Sequence, residues 1–235
     1  MPIDPSLGNA RKIEETQESI IEHIFAGGPV MLPILVLAFA AFAVTIFKWV
    51  QLSTIPRPPE KKVHGVLEAV RRKDYVQAAK IATDLKGPEG EMIRAGLDHI
   101  RETKELVEEM MFEKMLDTRL KLQSFLSFIA ISAAAAPLLG LLGTVTGIIN
   151  TFKLITVYGT GDAKTLSSGI SEALITTEYG LIVAIPSLLL HAYLSRRAKK
   201  FVDGMEKTAI ALLNRISNRE EEQAEEVVES KAASR

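Results

Sequence analysis

The chain has 235 residues, 47% of them hydrophobic, with 28 Lys and Arg against 29 Asp and Glu and no cysteine. That balance excludes a chain disordered as a whole and a disulfide-stapled secreted domain. Charge is unevenly spread, because three stretches almost lack it over lengths that match a hydrocarbon core of roughly 30 Å.

Residues 1–28 are polar and carry Asp4, Glu14, Glu15, Glu18 and Glu22 rather than a basic leader, so no cleaved signal peptide is expected. Ile13, Ile20, Ile21, Ile24 and Phe25 recur at helical spacing, which fits either an amphipathic helix on the outer leaflet or a loosely ordered leader. Gly27, Gly28 and Pro29 punctuate the turn into the first span, 29–48, with Lys48 and Trp49 expected at the opposite interface. Pro56-Arg57-Pro58-Pro59 reads as a stiff linker opening a small helical domain, 49–124. Within it, Val63–Arg72 and Tyr75–Leu85 read as short helices, with Asp74 as N-cap and Lys86-Gly87-Pro88 as the stop. From about Met92 the apolar spacing is helical again, with Phe112, Leu116 and Leu120 on one stripe. No breaker appears before Pro137, which predicts one helix running into the second span, 125–152. That span has no ionisable side chain. A loop over 153–169 leads to the third span, 170–194, apolar except for Glu172, Glu178, His191 and a few hydroxyls. The third helix is expected to continue over 195–219, ahead of an acidic, disordered tail, 220–235.

The fold class read from this is an all-α membrane protein with three transmembrane helices and long cytoplasmic helical extensions. Of the 28 Lys and Arg, 24 fall within 48–124 and 195–235. The positive-inside rule then places the N-terminus and the 153–169 loop outside, and the middle domain and C-terminus in the cytoplasm.

Ser132, Ala136, Gly140, Gly143 and Gly147 line one face of the second span, and Gly143 to Gly147 is a GxxxG. Small residues let backbones approach closely, within one chain or between chains. Thr144 and Thr146 stand beside this stripe, with hydroxyls that can bond their own backbone or line an aqueous path. Glu172 and Glu178 need explanation, since a charge at membrane depth costs on the order of 2.5–3.5 kcal/mol. Six residues on a helix leave them about 120° apart, a poor fit for a paired acid/base site. Thr177 and Glu178, deeper in the span, suit a protein-lined ion path; a structural hydrogen bond to a neighbouring helix is the alternative.

His23, His64, His99 and His191 lack metal-ligand spacing, so no metal and no cofactor is expected. Gly159-Thr160-Gly161 has Lys164 where a dinucleotide fingerprint needs its third glycine, and there is no Walker A. The basic residues are mixed with acids, so no nucleic-acid partner and no enzymatic activity is expected.

Residues 140–152, GLLGTVTGIINTF, and 169–186, GISEALITTEYGLIVAIP, together resemble the paired signature of the MotA/TolQ/ExbB proton-channel family, closest to ExbB and TolQ. The resemblance implies a homo-oligomeric ring, a pentamer, in the bacterial inner membrane, surrounded by membrane lipids. The ring would enclose single-span ExbD- or TolR-like subunits and drive a TonB- or TolA-like transducer. By motif, Thr144, Thr177 and Glu172 correspond to the residues facing the pore. Glu178 departs from the pattern, where an apolar residue is usual. Three functions compete: a subunit that turns the proton motive force into motion for outer-membrane transport or envelope maintenance, a scaffold that only holds partner helices, and a small-molecule transporter.

Overall fold

The computed structural model describes residues 23, 24, 26–159 and 163–233, with side chains described except at 158, 163–166 and from 218 onward. The expected amphipathic N-terminal helix therefore lies almost wholly outside the described residues, as does most of Gly159-Thr160-Gly161.

Among the described residues are seven helices: α1 Gly28–Thr54, α2 Glu60–Arg71, α3 Tyr75–Thr83, α4 Pro88–Asp98, α5 Lys104–Gln123, α6 Leu126–Tyr158 and α7 Ala163–Ala233. Three segments are long and apolar enough to cross a membrane: Gly28–Thr54, Lys104–Val157 and Ser167–Ser217. Leu32, Phe39, Leu138 and Leu174 are all more than 60% exposed in the isolated chain. In water so much bare apolar surface is a liability, whereas lipid covers it without cost.

The chain forms two compact units. The first joins the described part of Met1–Thr45 to Phe128–His191, and the second joins Ile46–Ser127 to Ala192–Arg235. In the first, Ile34 and Ala41 of α1, Ile129 and Ala136 of α6, and Ala173 and Ile175 of α7 are buried.

In the second unit, α2 and α3 pack through Val66, Val70, Ala78 and Ala82. The Asp74 carboxylate accepts from the Gln77 amide at 2.9 Å, satisfying one of the donors that every helix start leaves orphaned. At the other end of α3, the Arg94 guanidinium donates to the carbonyls of Ala82 and Leu85 at 3.1 and 2.7 Å. Gly87 takes φ +91°, and Pro88 then opens α4, where its missing N–H costs nothing.

Four sequence expectations need correction or adjustment. The helix expected from Met92 into the second span is broken twice, between Asp98 and Lys104 and at Ser124–Phe125. Neither break carries Gly or Pro. At the second, Phe125 takes φ +62°, uncommon for a side chain of its size. The cause is tertiary: Lys48, expected at the interface, is fully buried, and its ammonium donates to Gln51 Oε1, the Lys121 carbonyl and Ser124 Oγ at 2.7, 3.0 and 3.0 Å. It also lies 5.8 Å from the Phe125 ring centre. Trp49, by contrast, is exposed and stacks on Tyr193 at 5.3 Å. The loop expected over 153–169 is shorter, because α6 runs to Tyr158 and α7 begins at Ala163. Finally, α7 continues through Glu220 to Ala233, helix where a disordered tail was expected; the run is rich in Glu, Gln and Ala, all strong helix formers.

Among the described residues, the three groups that accept from Lys48 are all neutral. Lys48→Met keeps the volume but removes the ammonium's bonds, although the Lys121 carbonyl keeps the Ser124 hydroxyl at 2.8 Å; the loss of charged hydrogen bonds should cost about 1.5–3 kcal/mol. A lowered thermal midpoint in detergent is the expected result; an unchanged one would mean that the ammonium does not hold this break.

Candidate ion pathway

The small residues of α6 meet α7 of the same chain. A Cβ added at Gly140 would lie 2.9 Å from Thr177 Cα, one at Gly147 would lie 2.8 Å from Ala173 Cβ, and one at Gly143 would collide with the Thr176 side chain. The contact is reciprocal, since a Cβ at Gly180 would lie 2.8 Å from the Ala136 carbonyl oxygen. Backbones this close need glycine on both helices. Ser132, in the same stripe, is buried with no hydrogen-bond partner for its hydroxyl among the described residues.

Across this seam Thr177 Oγ1 donates to the Gly140 carbonyl at 3.0 Å. Thr144 and Thr146 turn back on their own helix, donating to the carbonyls of Leu141 and Leu142 at 2.7 and 2.8 Å. Helix geometry fixes which sides these groups occupy. At about 100° per residue, Thr144 lies to one side of the glycine stripe and Thr177 to one side of the α7 strip that faces it. Because the helices run in opposite directions, both offsets point the same way. Thr144 and Thr177 therefore share one side of the α6–α7 pair, in a surface that includes Leu141, Ile148, Ile170, Leu174 and Leu181, all 46–64% exposed.

Glu172 is about 140° from Thr177 on α7 and falls on the opposite side. Its carboxylate lies against Gly28, the first residue of α1, which takes φ +64° and has no room for a Cβ. Unpaired amides at a helix start favour a negative charge there. The structure thus brings Thr144 and Thr177 to one face and Glu172 to another. Glu178 points away from α6, exposed, with His23 Nε2 at 3.4 Å from its carboxylate and the His23 ring 6.0 Å from Tyr179.

His23 and Lys48 take places that their sequence surroundings do not announce. His23 sits 155 positions from its partner in a polar stretch, and the only trace of it was the unexplained Glu178. Lys48 was hidden by its neighbour Trp49, since a Lys-Trp pair at the end of an apolar run is also the usual mark of an interface.

Three apolar helices, two of them locked by glycine around buried and half-buried hydroxyls, define a polytopic membrane protein of a kind suited to lining a polar path. Residues 84–207 match the model of the MotA/TolQ/ExbB proton channel family. The chain is 32% identical over 189 residues to an ExbB-like biopolymer transport protein of Synechocystis sp., an alignment covering 73% of this chain and 68% of that one. It is 41% identical over 101 residues to the biopolymer transport protein ExbB of Aquifex aeolicus, covering 43% and 66%. With the Tol-Pal system protein TolQ of Pseudomonas aeruginosa it shares 37% identity over 82 residues, covering 35% and 36%. Its fold is similar to a solved structure of C. jejuni MotAB, with a TM-score of 0.62 at 14% identity over 90% of this chain and 86% of that one. The chain belongs to the MotA/TolQ/ExbB proton channel family.

Proposed function

We propose that this protein is the ring-forming channel subunit of an inner-membrane motor of the ExbB/TolQ type. The observation that carries the reading is the exposed face bearing Thr144 and Thr177. It is apolar enough to need covering and carries two hydroxyls that can exchange their bonds within the chain for bonds to a partner. A single apolar helix bearing one carboxylate, of the ExbD or TolR kind, would cover it and complete an ion path. Charge crossing 100 mV releases about 2.3 kcal/mol, roughly four times RT, enough to shift a two-state equilibrium near fifty-fold. That shift would be passed to a periplasmic transducer of the TonB or TolA kind. Glu172, on the α1 side, would act by setting how α1 and α7 meet or by reaching a neighbouring copy's path.

Self-association is supported from the second unit, where Phe112, Leu116 and Leu120 form a stripe on α5 that is 42–61% exposed. A second copy would cover it, and the α5 and α7 extensions would then bundle on the cytoplasmic side. Native mass spectrometry of the detergent-purified protein tests this. A single species of about five copies is expected, shifting to smaller species in Leu116→Glu; a wild-type monomer in gentle detergent would sink the ring.

A further inference from the structure

The second unit holds a cleft of about 540 Å³ that the ion pathway does not use. Its size is that of a small-molecule site. Arg57 stands at one edge between Pro56 and Pro58, in a linker whose prolines restrict its backbone. Pro58 is buried, and the Arg57 guanidinium lies 5.6 Å from the centre of the Phe201 ring, so this cation is held in place. Lys200 and Lys207 line the same cleft from α7, two turns apart on one face.

All three cations are exposed, and none has a carboxylate within 4 Å among the described residues. Two carboxylates also line the cleft. Glu89 is engaged by the Thr208 hydroxyl at 2.7 Å, and Glu60 opens α2. Permanent cations still outnumber acids, and His64 adds a further donor. The floor includes the faces of Leu67 and Phe201, both under 9% exposed. Gly204 keeps the middle open, since a Cβ there would meet nothing within 4 Å. Cations on separate elements over an apolar floor suit a ligand with a phosphate at one end and a flat or apolar body at the other.

Depth selects the source. Tyr193, stacked on Trp49, is the last aromatic of the third apolar stretch. At 1.5 Å per residue, Lys200 lies about 10 Å and Lys207 about 21 Å further along α7, beyond the roughly 5–8 Å that headgroups add to each leaflet. We infer that this cleft binds a small phosphate-bearing organic anion from the aqueous phase. Bound there, it would tie the linker after α1 to α7, a regulatory contact that stands apart from the ion-pathway reading and does not depend on it.

The test is calorimetric titration of the full-length protein in phosphatidylcholine nanodiscs with AMP, inorganic phosphate and adenosine. AMP is expected to bind saturably with Kd below about 1 mM, inorganic phosphate more weakly, and adenosine not at all. Arg57→Gln and Lys200→Gln should each weaken AMP at least about tenfold. Gly204→Leu, which fills the cleft and leaves every charge in place, should abolish binding. Lys73→Gln, outside the cleft, should change nothing. Absence of saturable AMP binding to the wild type would overturn the inference, as would binding that survives both Lys200→Gln and Gly204→Leu. Loss of AMP binding when phosphatidylglycerol replaces part of the lipid would give the cleft to a lipid headgroup and overturn the soluble ligand.

Discussion

Gly140→Val is expected to lower the thermal midpoint of the purified protein markedly and to scatter its assemblies. The nearest atoms to the new side chain are backbone, Thr177 Cα at 2.9 Å and the Thr176 carbonyl oxygen at 3.0 Å, so no rotamer change relieves the contact. The helices must part. Overpacking of this kind costs about 1–3 kcal/mol, and separation would also break the Thr177 hydroxyl bond to the Gly140 carbonyl. Gly204→Ala is the control, because a Cβ there has open space and alanine favours helix by up to about 1 kcal/mol. A Gly140→Val protein as stable as wild type would mean that the seam between α6 and α7 is looser than described.

The second large effect is functional. In liposomes holding this chain with the proposed single-span subunit of the ExbD or TolR kind, Thr177→Val should cut potential-driven proton flux at least tenfold, a barrier rise of about 1.4 kcal/mol. Valine matches threonine closely in shape, and the hydroxyl bond it removes is worth only about 0.5–1.5 kcal/mol, so assembly should persist. Glu172→Gln asks a different question. It keeps the shape beside Gly28 and removes the charge, so an equal loss of flux would show that the carboxylate matters although it lies on the other side of α7. Unchanged flux in both variants, with the complex intact, would favour a passive scaffold.

Much of the architecture was legible because its causes are local. Long apolar runs marked the three membrane segments, Asp74 announced the start of α3, and Gly87-Pro88 its end. The glycine stripe announced a close helix contact, but nothing in its spacing could say that α7 of the same chain fills it. What escaped was decided across the chain. The break at Ser124–Phe125 has no Gly or Pro; Lys48, 76 positions before Ser124, joins the Ser124 hydroxyl in donating to the Lys121 carbonyl that the break frees. The angle between Glu172 and Thr177 could be computed from sequence, but not that α1 would begin at Glu172. Family resemblance had the same limit, naming candidate pore residues one by one without showing that one chain splits them between two faces.

The face shared by Thr144 and Thr177 is proposed to receive the helix of a second, single-span protein. The protein has no cysteine, so single cysteines can be placed cleanly. Leu181→Cys on that face and Phe39→Cys on α1 should each be expressed with the single-span partner carrying one cysteine in its apolar segment, and then oxidised in the membrane. A disulfide-linked heterodimer is expected from Leu181→Cys and none from Phe39→Cys; crosslinking through Phe39→Cys alone would put the second helix elsewhere and overturn the proposal.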